Sequence, residues 1–340
     1  MNTNNAITTI GLDIGYGMVK SVADNGRQVC FESRVAPAEF IRFQADIGAP
    51  VKTNGLTLHD PDEGPLFIGE LASKQGRPGA IRSPRDRDRV TDPITTHLAN
   101  AAFAMLLPGI AHARIRVVTG LPVAYYRDAA QLSEHLLGTH IILLEGRSLT
   151  VEVEDVLVVP QPFGALLSLI LDERGMFKTN AIDLVEGRVA VLDIGQQTTD
   201  MILVEGMEYI ESRSGSIEVG VSTAIDMIRK VLLDDYRVTY ESHEVEQALR
   251  RGWLVIDGKK HALNGLASER LDPIARSIEA QARTLWNIST LTALALAGGG
   301  ALALKPWLEP RFKQAIYAPD AAMANATGFL RYGLRQWAAA

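Results

Sequence analysis

The stretch Ile10-Gly11-Leu12-Asp13-Ile14-Gly15-Tyr16-Gly17-Met18-Val19-Lys20 reads as an apolar strand, an Asp-Ile-Gly, a polar turn and a second strand. A near copy, Val191-Leu192-Asp193-Ile194-Gly195-Gln196-Gln197-Thr198-Thr199-Asp200, begins about 180 residues later. In each copy the strand holds a carboxylate at its end, and the glycine lets the backbone turn tightly. The N–H groups of such a turn can cradle phosphate oxygens. A single Asp-Ile-Gly is an ordinary strand-ending turn, whereas two in equivalent contexts point to a duplicated phosphate-binding device. The two carboxylates are expected to face each other across a cleft. Carboxylates beside phosphates repel unless a cation lies between them, so Asp13 and Asp193 imply Mg²⁺, an ion that usually keeps several waters. Lys20 adds a point charge for the phosphate chain.

A third element, Leu294-Ala295-Leu296-Ala297-Gly298-Gly299-Gly300-Ala301, is an apolar strand running into three glycines. Glycine is needed where a flat base or a ribose must lie against the main chain. Around these three segments strand and helix alternate. A β-meander is expected over Ala6–Asp13, Gly17–Ala23 and Arg27–Ser33, with a strand at Arg114–Thr119 and another at Val151–Val159. Helices are expected over Leu98–Leu107, Phe163–Leu171, Val221–Leu232, Asp272–Ser289 and Asp320–Trp337. The last carries Ala321, Ala324 and Gly328 along one face, small residues that suit close approach to the helix beginning Gly164-Ala165. From Ala36 to Asp92 the pattern loosens into Pro and Gly punctuation, ending in the mixed charge run Arg82–Arg89, a solvated loop or a contact to a partner subunit.

The 340 residues suffice for two domains with separate cores. Thirty-four Lys plus Arg against forty Asp plus Glu leave a net charge of −6, which opposes broad binding to nucleic acid phosphates. A connection to DNA therefore requires an adaptor. Cys30 is the sole cysteine, which excludes an intrachain disulfide and disfavours a cysteine-held zinc. The N-terminal stretch lacks the basic and apolar regions of a signal peptide, and no apolar run reaches the roughly 18 residues of a membrane span. A cytoplasmic protein with no membrane contact is expected. The seven histidines show no metal-ligand spacing and read as structural or surface residues.

In their order, the two Asp-Ile-Gly turns and the triple glycine resemble the two phosphate loops and the adenosine loop of the actin, sugar kinase and heat-shock ATPase superfamily. Chain length, Val159-Pro160-Gln161-Pro162-Phe163-Gly164-Ala165 and Glu218-Val219-Gly220-Val221-Ser222 are most similar to the bacterial plasmid-segregating actins of the ParM/StbA type. The resemblance implies an α/β, actin-like and ribonuclease H-like duplicated fold, with two domains around a nucleotide cleft. Residues 1–162 with 320–340 would form the first domain and 163–319 the second. It implies contacts to the phosphates and Mg²⁺ from Asp13, Gly15, Tyr16, Gly17 and Lys20. The second phosphate loop would comprise Asp193, Gly195, Gln196, Gln197 and Thr198, and the adenosine loop Gly298, Gly299 and Gly300. Asp13 and Asp193 would hold the metal through water. Gln161 falls where these proteins orient the attacking water, a task an amide performs by hydrogen bonding rather than as a strong base. Tyr16 is bulkier than the residues common at the first loop's tip, and Gln196-Gln197 replaces a more usual acidic or glycine pair. Both departures imply slow hydrolysis or an altered nucleotide preference.

The expected function is a Mg²⁺-dependent ATPase, with GTP as the alternative nucleotide, that forms head-to-tail filaments and segregates plasmid DNA through a DNA-binding adaptor. Closure on nucleotide would pivot at Gln161–Ala165 and near Ala324–Gly328. The competing readings are a small-molecule kinase on the same fold and a chaperone-like or membrane-tethered relative.

Overall fold

A computed structural model describes residues 6–39, 55–84 and 90–338, with the backbone alone for Gly55, Arg250 and residues 263–270. Residues 85–89 of the charge run lie outside the described residues. The chain divides into two compact units, Met1–Ala181 with Met323–Ala340, and Ile182–Ala322.

The first unit is built on a nine-stranded sheet of β1 (Thr8–Ile14), β2 (Met18–Ala23), β3 (Gln28–Glu32), β4 (Val35–Pro37), β5 (Gly55–Asp60), β6 (Gly64–Gly69), β7 (His112–Leu121), β8 (Gly138–Leu144) and β9 (Arg147–Pro160). Their order is β3-β2-β1-β7-β9-β8-β5-β6-β4. Helices α1 (Glu70–Gln75), α2 (Pro93–Leu106), α3 (Ala129–Leu136) and α4 (Gln161–Ile170) complete its first segment. The second unit carries β10 (Arg188–Ile194), β11 (Thr199–Glu205), β12 (Glu208–Tyr209), β13 (Gly215–Ile217), β16 (Ala293–Ala297) and β17 (Ala315–Tyr317) in one sheet. A separate hairpin pairs β14 (Trp253–Ile256) with β15 (Lys259–Ala262). Its helices are α5 (Ile182–Glu186), α6 (Val221–Tyr236), α7 (Ser242–Arg251), α8 (Leu263–Leu285), α9 (Gly299–Ala303) and α10 (Lys305–Leu308). The C-terminal helix, Ala324–Ala338, returns to the first unit.

The duplication expected from the sequence is present in the pairing. The run β3-β2-β1-β7-β9 matches β12-β11-β10-β16-β17. In both, the first three strands are antiparallel and the next two join in parallel. The register is equivalent too, placing Asp13 opposite Lys20 and Asp193 opposite Asp200.

Small residues fasten the first unit. A Cβ on Gly328 of the C-terminal helix would lie 1.8 Å from the Gly164 carbonyl oxygen of α4, and one on Gly11 of β1 would lie 2.1 Å from the Ala326 carbonyl oxygen. The helix pair expected from these residues is therefore formed. Helix α4 belongs to the first compact unit, and the chain passes between units at Ala181/Ile182 and Ala322/Met323. Gln161–Ala165 and Ala324–Gly328 lie against each other inside one unit, so the interlocked backbones are not themselves the points where the chain crosses.

Other differences have local causes. Helix α2 begins before Leu98 because Asp92 accepts a hydrogen bond from Ile94 N–H and Pro93 suits the first turn. Helix α8 begins before Asp272 and carries Pro273 in its interior. Within the Pro- and Gly-punctuated stretch lie the hairpin β5–β6, turned at residues 61–63, and helix α1.

Two expectations follow. Gly328→Ala should destabilise the protein by about 3 kcal/mol, since the clash is with backbone that cannot swing aside; an unchanged denaturation midpoint would contradict this packing. Burial holds the imidazoles of His135 and His140 below the ordinary range. His140 Nε2 donates to the Leu136 carbonyl (2.9 Å), and its Nδ1 lies 2.8 Å from the Asn100 amide. The unfolded chain protonates near the ordinary imidazole pKa while the folded chain resists. Stability is thus fully present above that range and falls as pH drops through it toward the folded values. Urea midpoints at pH 7.5 and 5.5 should differ, and His140→Gln should narrow the gap.

Candidate functional site

In the first unit, β1 delivers Asp13 to the C-terminal end of the sheet, where it is only 1% exposed. Gln161 Nε2 donates to Asp13 Oδ1 at 2.6 Å, and Lys20 Nζ stands 3.7 Å from Oδ2. Asp13 Oδ2 is buried and accepts no hydrogen bond. Gln161 reaches this carboxylate because it opens α4 directly after β9, two strands away from β1. The intervening strand β7 carries Gly120, where a Cβ would come within 3.0 Å of Gln161 Cα.

The turn after Asp13 is closed by Gly15 N–H donating to the Met18 carbonyl (3.0 Å). Ser33 pins it from behind: its Oγ donates to the Gly15 carbonyl (2.7 Å) and its N–H to the Gly17 carbonyl (3.0 Å). Tyr16 occupies the tip and is half-buried.

The second unit repeats the construction with different chemistry. Asp193 is 6% exposed, and Gly195 N–H donates to the Thr198 carbonyl (2.9 Å). Lys20's place in the register is taken by Asp200, which accepts hydrogen bonds from Thr198 Oγ1 (3.2 Å) and from Ser216 Oγ. Helix α6 docks its first turn on this loop, with Val221 N–H donating to the Gly195 carbonyl (3.2 Å) and Ser222 N–H to the Gln196 carbonyl (2.7 Å). Gly220 permits that contact, since a Cβ there would lie 2.6 Å from the Gln196 carbonyl oxygen and 2.8 Å from the Gln197 carbonyl carbon.

The N–H groups of Gly15 and Gly195 are thus spent inside the turns. Those left for an anion are at the tips, Gly17 in the first and Gln196 with Gln197 in the second, for which no partner is found among the described residues.

The three glycines after β16 differ in what requires them. Gly298 has φ +83° and stands where a Cβ would be 2.5 Å from Asp193 Oδ1. Gly300 packs where a Cβ would be 2.5 Å from Ile194 Cγ2. Gly299 is exposed, and a Cβ there would meet no atom within 4 Å. The structure therefore brings Asp13, the Gly15–Gly17 turn, Lys20 and Gln161 together in one unit. Asp193, the Gly195–Thr198 turn and Gly298–Gly300 come together in the other.

Mg²⁺ fits this donor set only as a largely hydrated ion. Among the described residues no group of three His, Cys, Asp or Glu side chains is placed to hold a metal. A lone buried carboxylate oxygen such as Asp13 Oδ2 suits a metal-bound water.

A family profile described as actin like proteins N terminal domain matches residues 11–164, and one described as archaeal actin homologue MreB-like, C-terminal, matches residues 191–310. The chain is an actin-like protein. An archaeal actin homolog of Thermoplasma volcanium is 22% identical, spanning 95% of this chain and 98% of that protein. The crystal structure of an archaeal actin homolog in complex with ADP has a TM-score of 0.77 at 20% identity, covering 97% of this chain and 100% of the other. A ParM from a 15-stranded filament of Clostridium botulinum has a TM-score of 0.80 at 20% identity, covering 97% and 99%. The fold of this actin-like protein is thereby established, with ParM proteins among its structural neighbours. Among the described residues no helix is long and apolar enough to cross a membrane.

The sequence signalled every turn residue but not Ser33 or Gly120, whose roles arise only when distant strands meet. Gly220 was visible within Glu218–Ser222. Gly299 gives a direct test, because nothing in the protein itself demands a glycine there. Gly299→Ala should stabilise the ligand-free protein by about 0.5 kcal/mol while weakening its affinity for ADP. Calorimetric titration with unchanged affinity would remove Gly299 from the ligand surface.

Proposed function

We propose that this actin-like protein binds and slowly hydrolyses ATP, with GTP as the alternative nucleotide, and couples the cycle to head-to-tail assembly. The observation that carries the nucleotide reading is the Asp13 carboxylate: buried, held on one oxygen by Gln161 and left on the other without a hydrogen-bond donor. Leaving a buried charged oxygen unsatisfied is costly, so such an atom favours a ligand that completes it. Mg²⁺ bound with the nucleotide would offset phosphate charge, with Asp13 and Asp193 holding its waters.

The chain's own residues divide the remaining work. Lys20, beside Asp13, supplies positive charge toward the phosphates. Gln161 gives its N–H to Asp13, which leaves its carbonyl oxygen to accept a hydrogen bond from the attacking water and fix its direction. Gly17, Gln196 and Gln197 offer N–H groups to phosphate oxygens, and Gly299 offers a flat surface to the nucleoside. The two units would close on the nucleotide about the crossings at Ala181/Ile182 and Ala322/Met323.

Assembly is supported by the full-length likeness to a filament-forming ParM, and a contact repeated head to tail without closing gives a filament. Plasmid segregation is supported by the resemblance around Gln161. The net charge of −6 then makes a DNA-binding adaptor the link to cargo, in the cytoplasm.

Light scattering recorded beside phosphate release tests this reading. With ATP and Mg²⁺ the unsubstituted protein should scatter and then release phosphate, and Asp13→Ala should do neither. Gln161→Ala should still bind ATP and assemble but hydrolyse roughly 100-fold more slowly, because orientation of the water is what it loses. No rise in scattering by the unsubstituted protein would overturn assembly, and normal phosphate release by Gln161→Ala would overturn the role given to the amide.

A further inference from the structure

Helix α4 opens on Gln161 with no side-chain cap, so what holds it along its axis lies elsewhere. The contact of Gly164 with Gly328 sets the distance between two helices, but glycine faces present no ridge that resists sliding. The directional contacts are at the other end. The last carbonyls of a helix have no partner within it and must be met from outside. The Leu167 carbonyl accepts from Leu171 N–H (2.9 Å), and Lys178 alone meets the next three carbonyls. Its N–H donates to Ile170 (2.9 Å), and its Nζ donates to Ser168 (2.9 Å) and Leu169 (2.8 Å). Arg331 of the C-terminal helix, one turn beyond Gly328, donates from Nη1 to the carbonyls of Ser168 (2.6 Å) and Leu171 (2.9 Å).

The stretch Leu171–Lys178 folds back so that Lys178 can reach. Asp172 N–H donates to the Met176 carbonyl (2.8 Å) and Gly175 N–H to the Asp172 carbonyl (3.1 Å), while Asp172 Oδ1 accepts from the N–H groups of Arg174 and Met176 (both 2.9 Å). Gly175 has φ +75°, and a Cβ there would lie 2.6 Å from the Arg331 carbonyl oxygen. The turn is thus pressed onto the C-terminal helix, where Arg335 Nη1 donates to the Gly175 carbonyl (3.3 Å). Leu171 and Phe177 then pair as an antiparallel bridge, and Lys178 arrives over the end of α4.

Two cations therefore share the Ser168 carbonyl. Burial and the neighbouring Arg331 charge hold the Lys178 ammonium below the ordinary lysine range, and burial lowers Arg331 as well, against the opposing pull of Asp172 and Glu173. The negative end of the helix dipole offsets this crowding. The two cations are not equivalent. Arg331 belongs to a helix packed on β1, whereas Lys178 stands at the head of a crossing: its carbonyl accepts from Ala181 N–H (3.0 Å) just before the chain leaves the unit at Ala181/Ile182. A displacement at the crossing pulls on Lys178, and Ser168 keeps a partner in Arg331 while α4 shifts.

We propose that Lys178 is a positioning residue for Gln161: it grips the carbonyl end of α4 and so sets the reach of the Gln161 amide toward Asp13, about 15 Å away along the helix of 10 residues. The inference rests on the hydrolysis reading and gives it a route by which movement at the crossing reaches the amide.

Lys178→Met keeps the apolar stem and removes the donors. In ligand-free, isotope-labelled protein the NMR signal of the Gln161 side-chain amide, identified by its loss in Gln161→Ala, should move in Lys178→Met. Phosphate release at saturating ATP should fall by about tenfold, the scale of a modestly misaligned water, while ADP affinity measured by calorimetry stays unchanged. Lys178→Arg, which can still donate to carbonyls, should recover most of the rate. Arg174→Met, which removes an exposed cation from the same turn, should leave the amide signal and the rate alone. A Gln161 signal that stays in place in Lys178→Met overturns the proposal, as does an undiminished rate or an equal effect of Arg174→Met. Parallel loss of ADP affinity and rate, or failure of Lys178→Met to fold, also overturns it by making the contact a structural one. Absence of phosphate release by the unsubstituted protein, with the amide signal still moved by Lys178→Met, overturns the hydrolysis reading and leaves the positioning contact standing.

Discussion

A carboxylate buried at the end of a parallel strand is the constraint around which the first unit is arranged. An ionised group taken out of water costs several kcal/mol unless it is paired and hydrogen-bonded. Asp13 is 1% exposed and meets this condition only in part, through the Gln161 amide on Oδ1 and the Lys20 charge 3.7 Å from Oδ2, which accepts no hydrogen bond. Neither partner is local. Lys20 arrives through the hairpin register of β1 and β2, and Gln161 through a chain of close backbone contacts. Gly11 admits the C-terminal helix onto β1, and Gly328 and Gly164 bring that helix against α4. Gly120 then clears the space for the start of α4 over β7. Enlarging any one of these glycines should therefore move Gln161 relative to Asp13.

The duplication preserves this frame and changes the charge placed on it. Asp13 faces a lysine across the hairpin, whereas Asp193 faces Asp200. The same strand geometry thus yields a neutral pair in one unit and a doubly acidic pair in the other, the latter steadied by hydroxyls of Thr198 and Ser216. An anionic ligand would meet different electrostatics at the two turns despite their matching backbones. Sequence similarity between the halves therefore describes the scaffold better than it describes the chemistry.

What was legible before the structure follows the same division. Asp-Ile-Gly turns, apolar strands and the small faces of two helices are local patterns, and each appears where its pattern placed it except that the last helix begins at Ala324, which leaves Ala321 in the preceding turn. Within 36–92 the punctuation hid the strands β5 and β6, because turn residues between short strands dominate the pattern until the strands pair. Gly164 and Gly328 suggested that two helices lie close, but not how tightly their backbones interlock. Ser33 and Gly120 carried no signal, since a serine after a strand and a glycine within one acquire meaning only from what lies across from them.

The turn after Asp193 is also mechanically continuous with a distant surface. Gly195 and Gln196 accept hydrogen bonds from the first turn of α6, and Gly220 lets the two backbones touch. A helix of 16 residues is about 24 Å long and transmits a displacement of its first turn along its axis. Beyond it, α6 shares one core with α7, α8 and the inner face of the hairpin, through Ile225, Ile228, Leu232, Leu254 and Ile256. Close-packed cores shift as bodies rather than deforming smoothly. A ligand that displaces Gln196 would therefore carry the β14–β15 hairpin with it, while the start of β10, held through Arg188 N–H to Thr292 Oγ1, would stay with the sheet.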